Sequence, residues 1–143
     1  MTDADLSLIT RRHIKASPSR VFTAWTTPEA LKSWWGPKGI GCPDAQIDLT
    51  VGGQYRIANE MPDGRWLWIE GTFEEIVPDE KLVYSWVSSD QQPAPERVIV
   101  HFKPMNEGTE VIVIHERIGS EAAVAEHKAG WEGCLDGLEG WVR

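Results

Sequence analysis

The sequence is poor in cysteine and contains no long apolar run. Its two cysteines, Cys42 and Cys134, lie far apart and form no C-x-x-C pattern. A zinc site or a disulfide framework would need more cysteines at closer spacing. No segment of about 18 apolar residues is available to span a bilayer, and the N-terminus does not resemble a signal peptide. The sequence therefore favours a cytoplasmic location without membrane insertion.

Basic residues are scarce as well. The 14 Lys and Arg residues are outnumbered by 22 Asp and Glu residues, which gives a net charge of −8. Nucleic acids and anionic membranes both attract clustered Lys and Arg. The only basic run, RRHIK at residues 11–15, falls in a predicted strand whose side chains alternate between faces. We therefore expect no nucleic-acid partner.

Motifs for metals, nucleotides and activated nucleophiles are missing. The histidines occur singly, without H-x-x-x-H or H-E-x-x-H spacing. There is no G-x-S-x-G elbow, no Walker loop and no dinucleotide fingerprint, and Gly52-Gly53 is predicted to form a tight turn. Cys134 falls beside the inward face of a predicted helix, where it is expected to pack as a small apolar residue. We predict no metal and no cofactor.

Tryptophan, by contrast, is abundant. Its side chain is large and amphipathic, and its N–H group needs a partner when it is buried. An excess of tryptophan is therefore typical both of a packed core and of a ligand pocket. The eight tryptophans are Trp25, Trp34, Trp35, Trp66, Trp68, Trp86, Trp131 and Trp141.

Period-two apolar patterns and turn motifs predict a meander of antiparallel strands. Turns are expected at Pro62-Asp63-Gly64, Pro78-Asp79-Glu80 and Asn106-Glu107-Gly108, and a polar loop at residues 91–95. The predicted strands cover residues 6–14, 45–49, 54–60, 66–77, 81–88, 97–102 and 109–116.

Three helices are predicted from capping signals. Ser17-Pro18 and Thr27-Pro28 each begin a short helix, and Gly36-Pro37 ends the second one. Ser120 caps a long C-terminal helix that extends to Trp141. Glycines within this helix weaken it by about 0.5–1 kcal/mol each, so packing must hold it in place. Its expected inward stripe consists of Val124, Lys128, Trp131, Leu135, Leu138 and Val142.

These elements define one α+β domain covering residues 1–143. We expect a helix-grip arrangement, in which a curved six- to seven-stranded antiparallel sheet wraps around the long C-terminal helix. The two short helices follow the first strand. One helix cannot cover such a sheet completely, so the rest of the concave face is either filled by aromatic side chains or left as a cavity.

Five segments, taken in order, resemble the SRPBCC (START-like, helix-grip) superfamily. They are SPSRVFTAWTTPEALKSWWGP, VGGQYR, the PDG turn, GTFEEIVPDEKLVYSW and GWEGCLDGLEGW. The resemblance covers nearly the whole chain and is closest to the branch named after the C-terminal domain of activators of a heat-shock chaperone ATPase. It implies a cavity between helix and sheet, with Trp34 and Trp35 at its mouth. Because the superfamily includes carriers, cyclases and chaperone activators, it implies no single reaction.

The predicted ligand-binding residues are mostly aromatic side chains that strand alternation or helical spacing turns inward. Core packing would account for many of them equally well, so both interpretations stay open. The set consists of Trp35, Tyr55, Trp68, Tyr84, Trp86, His115 and Trp131.

Two residues are weak candidates for catalysis. His115 shares a strand face with Val111 and Val113 and would act as a general base if that face lines the cavity. Neighbouring Ile112 is also apolar, so the pattern leaves the orientation of the strand open. Glu70 would serve if burial raised its pKa, although a solvated surface position is the common fate of such a residue.

The leading hypothesis is a binding protein for a hydrophobic small molecule. The alternatives are an enzyme similar to polyketide cyclases or dehydratases and a chaperone-associated interaction module. The sequence leaves open the identity of the ligand, catalysis, and whether a homodimer forms.

Overall fold

The architecture is a seven-stranded antiparallel sheet with three helices, seen in a computed structural model that describes residues 6–36, 39–89 and 95–142. The strand order within this described part is β1-β7-β6-β5-β4-β3-β2. The predicted α+β helix-grip fold is confirmed. The strands are β1 (Leu6–Ile14), β2 (Ala45–Ile47), β3 (Gln54–Glu60), β4 (Trp66–Val77), β5 (Lys81–Ser88), β6 (Glu96–Met105) and β7 (Gly108–Ile118).

The helices begin where the capping residues predicted. Helix α1 (Pro18–Thr26) starts after Ser17, whose hydroxyl accepts a hydrogen bond from the backbone N–H of Arg20 at 3.2 Å. Helix α2 (Pro28–Trp34) follows at once, and helix α3 (Glu121–Trp141) is capped by Ser120. Of the predicted helix stop at Gly36-Pro37, the structure describes only Gly36, where φ is 109°. Of the predicted polar loop at residues 91–95, it describes only Pro95.

Four strands have the predicted bounds, and three differ from them. Strand β2 is two residues shorter than expected. The hairpin formed by β6 and β7 is longer, because its pairing continues to Met105 and Gly108 and leaves only Asn106 and Glu107 in the turn. A register shift between Phe73 and Glu75 interrupts the pairing of β4 with β5, and such a bulge bends the strand.

Helix α3 lies against the β1 end of the sheet. Arg12 on β1 donates hydrogen bonds from Nη1 to the carboxylates of Asp136 at 2.8 Å and Glu139 at 2.9 Å. The apolar side of the helix buries Trp131, Cys134, Leu135 and Leu138. Lys128, which was assigned to the inward stripe, is exposed because the buried face is rotated away from it.

Gly137 sets how closely α3 approaches α2. A Cβ atom at this position would lie 2.3 Å from the backbone oxygen of Trp34, whereas one at Gly140 would meet no heavy atom within 4 Å. The glycines therefore have different roles in the same helix.

Replacing Gly137 by alanine is expected to lower the free energy of unfolding by roughly 1–3 kcal/mol, because the new methyl group would force α2 and α3 apart. The matched variant Gly140→Ala should raise it by about 0.5–1 kcal/mol through helix propensity. Urea denaturation of both variants measures the difference. Equal stabilisation by the two substitutions would contradict the close approach.

Candidate functional site

A partly open cavity of about 390 Å³ lies between helix α3 and strands β3, β4 and β5. This volume falls within the range of about 300–1,000 Å³ that is usual for small-molecule sites. Apolar side chains form one wall. Leu67 and Ile69 belong to β4, and Met61 directly follows β3.

Three indole rings form the aromatic floor of this cavity. Trp35 follows α2, Trp86 belongs to β5 and Trp131 to α3. The ring centroid of Trp131 lies 5.6 Å from that of Trp35 and 5.5 Å from that of Trp86. At these distances the rings contact one another, and their inclined planes are typical of favourable aromatic pairs. We call these three residues the indole cluster.

The N–H groups of the indole cluster are not equally satisfied. Trp35 Nε1 donates to Asn59 Oδ1 at 2.9 Å, and Trp131 Nε1 donates to His115 Nδ1 at 3.0 Å. Trp86 Nε1 has no acceptor among the described residues, although the side chain is only 7% exposed. An unsatisfied buried donor costs about 1–3 kcal/mol, so Trp86 is an energetic exception in this core.

Behind the floor, His115 is completely buried and hydrogen-bonded at both ring nitrogens. Its Nδ1 accepts the N–H of Trp131, so its proton is on Nε2, which lies 2.7 Å from Glu96 Oε1. These two partners fix a neutral tautomer. Val111, Val113 and His115 are all fully buried, as expected if this face of β7 is turned inward.

His127 joins this chain from helix α3 and also lines the cavity. Its ring stacks on that of His115 with centroids 4.4 Å apart. Its Nε2 lies 3.0 Å from Glu96 Oε1, but outside hydrogen-bond geometry. Glu96 therefore lies beside two histidines: His115 is buried in the core, and His127 lines the cavity.

The cluster of Glu96, His115 and His127 resembles a metal-binding set in composition, with potential ligand atoms within 4.8 Å of one another. Its geometry does not fit one. The two imidazole planes are inclined by only 15° in a stack, so a shared ion could not lie near the plane of both rings. His115 Nε2 also carries a proton, and a metal would need its lone pair.

Burial shifts the pKa values of this region in different directions. Desolvation lowers the pKa of His115 below its ordinary 6.5, against the opposing effect of the Glu96 hydrogen bond. For Glu96, burial raises the pKa, but the contacts with His115 and His127 outweigh it and bring the pKa to about 2. Burial raises the pKa of the Cys134 thiol to about 12, so this cavity-lining cysteine is no thiolate nucleophile near neutral pH.

Acidification is expected to destabilise the fold in two stages. His115 has a lower pKa when folded, so the unfolded chain binds its proton first and stability falls below about pH 6.5. The pKa of Glu96 is depressed in the folded protein, so a second loss of stability follows as the pH falls from 4.5 to about 2. Urea unfolding across pH measures both stages. His115→Gln should remove the first stage, whereas the control His13→Gln, at an exposed site, should keep it. If the stability of the wild type does not change below about pH 6.5, the prediction is contradicted.

The structure brings together only part of the predicted ligand-binding set. Trp35, Trp86 and Trp131 line the cavity, and His115 lies behind them. Tyr55 and Tyr84 lie in the neighbouring core, where a much smaller pocket of about 20 Å³ remains.

Trp68 and Glu70 lie away from the cavity. Both alternate with the buried Ile69 on β4 and therefore face the other side of the sheet. The Arg56 guanidinium stacks 3.9 Å from the Trp68 ring centroid, and its Nε lies 3.7 Å from Glu70 Oε2. Glu70 is exposed to solvent, as the sequence analysis gave for the common fate of such a residue.

Sequence reasoning missed Glu96, His127 and Gly130. Glu96 is the first residue of β6, one position before the predicted start of that strand. His127 lies four residues before Trp131, so a stripe anchored on Trp131 would have included it. Gly130 lines the cavity and has open space around the position of a Cβ atom.

Comparison with known proteins is consistent with this architecture. The model of the family described as Activator of Hsp90 ATPase homolog 1-like protein matches residues 15–143, so the chain belongs to this family. No curated protein matches the sequence. Among the described helices, none is both long and apolar enough to cross a membrane.

Solved structures with the same fold come from several bacteria. A protein from Chromobacterium violaceum is 26% identical, with a TM-score of 0.88 over 95% of this chain and 96% of that one. An AHSA1-like protein from Aeromonas hydrophila is 25% identical, with a TM-score of 0.80 over 96% and 92% of the two chains. An AHSA1 protein from Silicibacter pomeroyi, at 24% identity, has a TM-score of 0.83 over 97% of each chain.

Proposed function

We propose that this protein binds a hydrophobic small molecule in the cavity beneath helix α3. The observation that carries the proposal is the cavity itself, about 390 Å³ in volume, with the indole cluster as its floor. Removing an apolar molecule from water onto such a surface contributes roughly 25 cal/mol per Å² of buried apolar area. A set of indoles also offers large, rigid contact surfaces that lose little conformational freedom on binding.

The electrostatics of the site support a binding role. His115 and Glu96 are engaged with each other, and the Cys134 thiol is neutral near pH 7. The bonds between Trp131, His115 and Glu96 anchor the floor to the sheet. A preorganised site of this kind strengthens binding because less ordering is required when the ligand arrives.

Titration with neutral two-ring aromatics, followed by quenching of tryptophan fluorescence, tests the proposal. We expect saturable quenching with Kd values of roughly 1–100 µM, together with a rise in Tm. If neither saturation nor a thermal shift appears for any apolar compound, the binding role is wrong.

An enzyme of the cyclase or dehydratase kind is the second candidate. It is favoured by one observation: His127 lines the cavity while its Nε2 lies 3.0 Å from the Glu96 carboxylate. A histidine beside a carboxylate is a common setting for a general base, although here the two groups lie outside hydrogen-bond geometry. Incubation with a cyclic β-hydroxy ketone should then give loss of water, detected by mass spectrometry, and His127→Gln should stop it while ligand binding persists. If the wild-type protein does not convert this compound, the enzyme candidate is wrong for this class of substrate.

A further inference from the structure

The titratable groups that line the cavity lie on helix α3, and they indicate which charge a ligand can carry, given the binding role proposed above. The described lining residues from β3, β4 and β5 include no ionisable side chain, and no Lys or Arg is among the described residues of the lining. Helix α3 contributes Glu126, His127 and Cys134. The pKa of the Cys134 thiol, about 12, keeps it neutral near pH 7. The charge of the lining therefore depends on Glu126 and His127.

The imidazole of His127 offers a ligand no free positive charge. Its Nε2 lies 3.0 Å from Glu96 Oε1, so a proton that charges this ring is already opposite a carboxylate. The ring also stacks on His115, which its two hydrogen-bond partners hold as a neutral tautomer. A ligand carboxylate would therefore meet no unpaired cation in the described lining of the cavity.

Glu126, in contrast, is an exposed carboxylate without a cationic partner. Its side chain makes no ion pair and no hydrogen bond with any residue in the described part of the chain. Residues three and four positions away are its neighbours on the helix surface, and none of them carries a charge. They are Ala122, Ala123, Ala129 and Gly130. The negative charge of Glu126 is therefore uncompensated within this helix.

The absence of a side chain at Gly130 leaves Glu126 open to the cavity. Glu126, Gly130 and Cys134 form one row at four-residue spacing along α3, and all three line the cavity. Side chains in a helix lean toward its N-terminus, so a side chain at position 130 would cover the space beside Glu126. Instead, a Cβ atom at Gly130 would meet no heavy atom within 4 Å. Because Glu126 is also exposed to solvent, it lies where the cavity opens.

We propose that the cavity selects a hydrophobic molecule with one cationic head group, such as an alkylammonium group, which binds beside Glu126 at the mouth. The apolar body of the ligand lies on the indole cluster. At the mouth an ammonium group stays in contact with water, so it avoids the cost of burying a charge. Glu126 attracts it, and the net charge of −8 on the chain adds to this attraction at longer range. A carboxylate head group in the same place would be repelled.

Three matched naphthalenes test this selectivity on the intact protein by titration calorimetry: naphthylethylamine, naphthylethanol and naphthylacetate. We expect the amine to bind about fivefold more tightly than the alcohol, and the acetate about fivefold more weakly than the alcohol. Both differences should shrink in about 1 M salt, which screens exposed charges.

Two variants assign the effect to one residue. Glu126→Gln should bring the amine and the alcohol within about twofold of each other and leave the affinity for the alcohol unchanged. Glu132→Gln removes the same charge from an exposed position of α3 outside the cavity lining, and it should keep the preference for the amine.

The possible outcomes separate this inference from the binding role. If the alcohol binds as tightly as the amine, or if Glu126→Gln preserves the preference, Glu126 does not recognise the head group and binding by apolar contact alone remains. An equal loss of preference in Glu132→Gln would assign the effect to the net charge of the protein and overturn the inference, as would tightest binding of the acetate. A preference that persists unchanged in about 1 M salt would also contradict it, and this measurement needs no variant. If none of the three compounds binds, the binding role fails as well.

Discussion

Replacing Gly130 by leucine is expected to reduce the affinity for neutral aromatic ligands at least about 100-fold, which corresponds to about 2.7 kcal/mol. Gly130 lines the cavity, and a Cβ atom there would meet no heavy atom within 4 Å. The leucine side chain would therefore occupy space that the ligand needs. The helix itself should gain about 0.5–1 kcal/mol, because glycine is a poor helix former.

Gly140→Leu provides the matched control. Gly140 lies in the same helix with equally open space around the position of a Cβ atom, but outside the cavity lining. It should receive the same gain in propensity and keep wild-type affinity. Calorimetric or fluorescence titration of both variants with a neutral two-ring aromatic measures the contrast. Affinity of Gly130→Leu within about twofold of wild type would place ligand binding elsewhere.

Replacing Glu96 by alanine is expected to lower the free energy of unfolding by roughly 2–3 kcal/mol, the upper part of the range for a buried donor left without its acceptor. The Nε2–H group of the fully buried His115 would lose its acceptor at 2.7 Å. The ring cannot exchange its two nitrogens without losing the N–H of Trp131 as well. The substitution should therefore also destabilise the indole cluster, which contains Trp131.

Two further variants identify the cause of that loss. Glu96→Gln retains an acceptor oxygen without the charge and should cost only about 1 kcal/mol. Glu75→Ala removes a carboxylate from a half-exposed ion pair with Lys81 and should cost about 0.5 kcal/mol. Urea denaturation at pH 7 ranks the three proteins. A loss for Glu96→Ala no larger than that for Glu75→Ala would show that His115 does not depend on Glu96.

Most of the fold could be predicted from the sequence because its signals are local. Alternation and turn chemistry located β1, β3, β4 and β5 at their observed bounds, and Ser17 and Ser120 located two helix starts. The bounds that differed, as in β6, depend on cross-strand pairing with β7. Such pairing is fixed by contacts between residues distant in the sequence, and a local pattern does not contain it.

The site was less predictable for the same reason. Trp86 and Trp131 could be identified by composition and spacing, but Trp68 has the same alternating pattern and lies on the other face of the sheet. The difference depends on which face of β4 meets the helix. Glu96 and His127 converge with His115 from three separate elements, a convergence that becomes visible only in the folded chain.

The central claim is that the cavity holds a hydrophobic small molecule, and native mass spectrometry tests it most directly. Wild type and Gly130→Leu would be purified gently from the organism that makes the protein and sprayed under identical conditions. We predict a retained hydrophobic small molecule on the wild type and its absence from Gly130→Leu. Repeated absence of any bound mass from the wild type, with no thermal shift from the neutral aromatics, would contradict the claim.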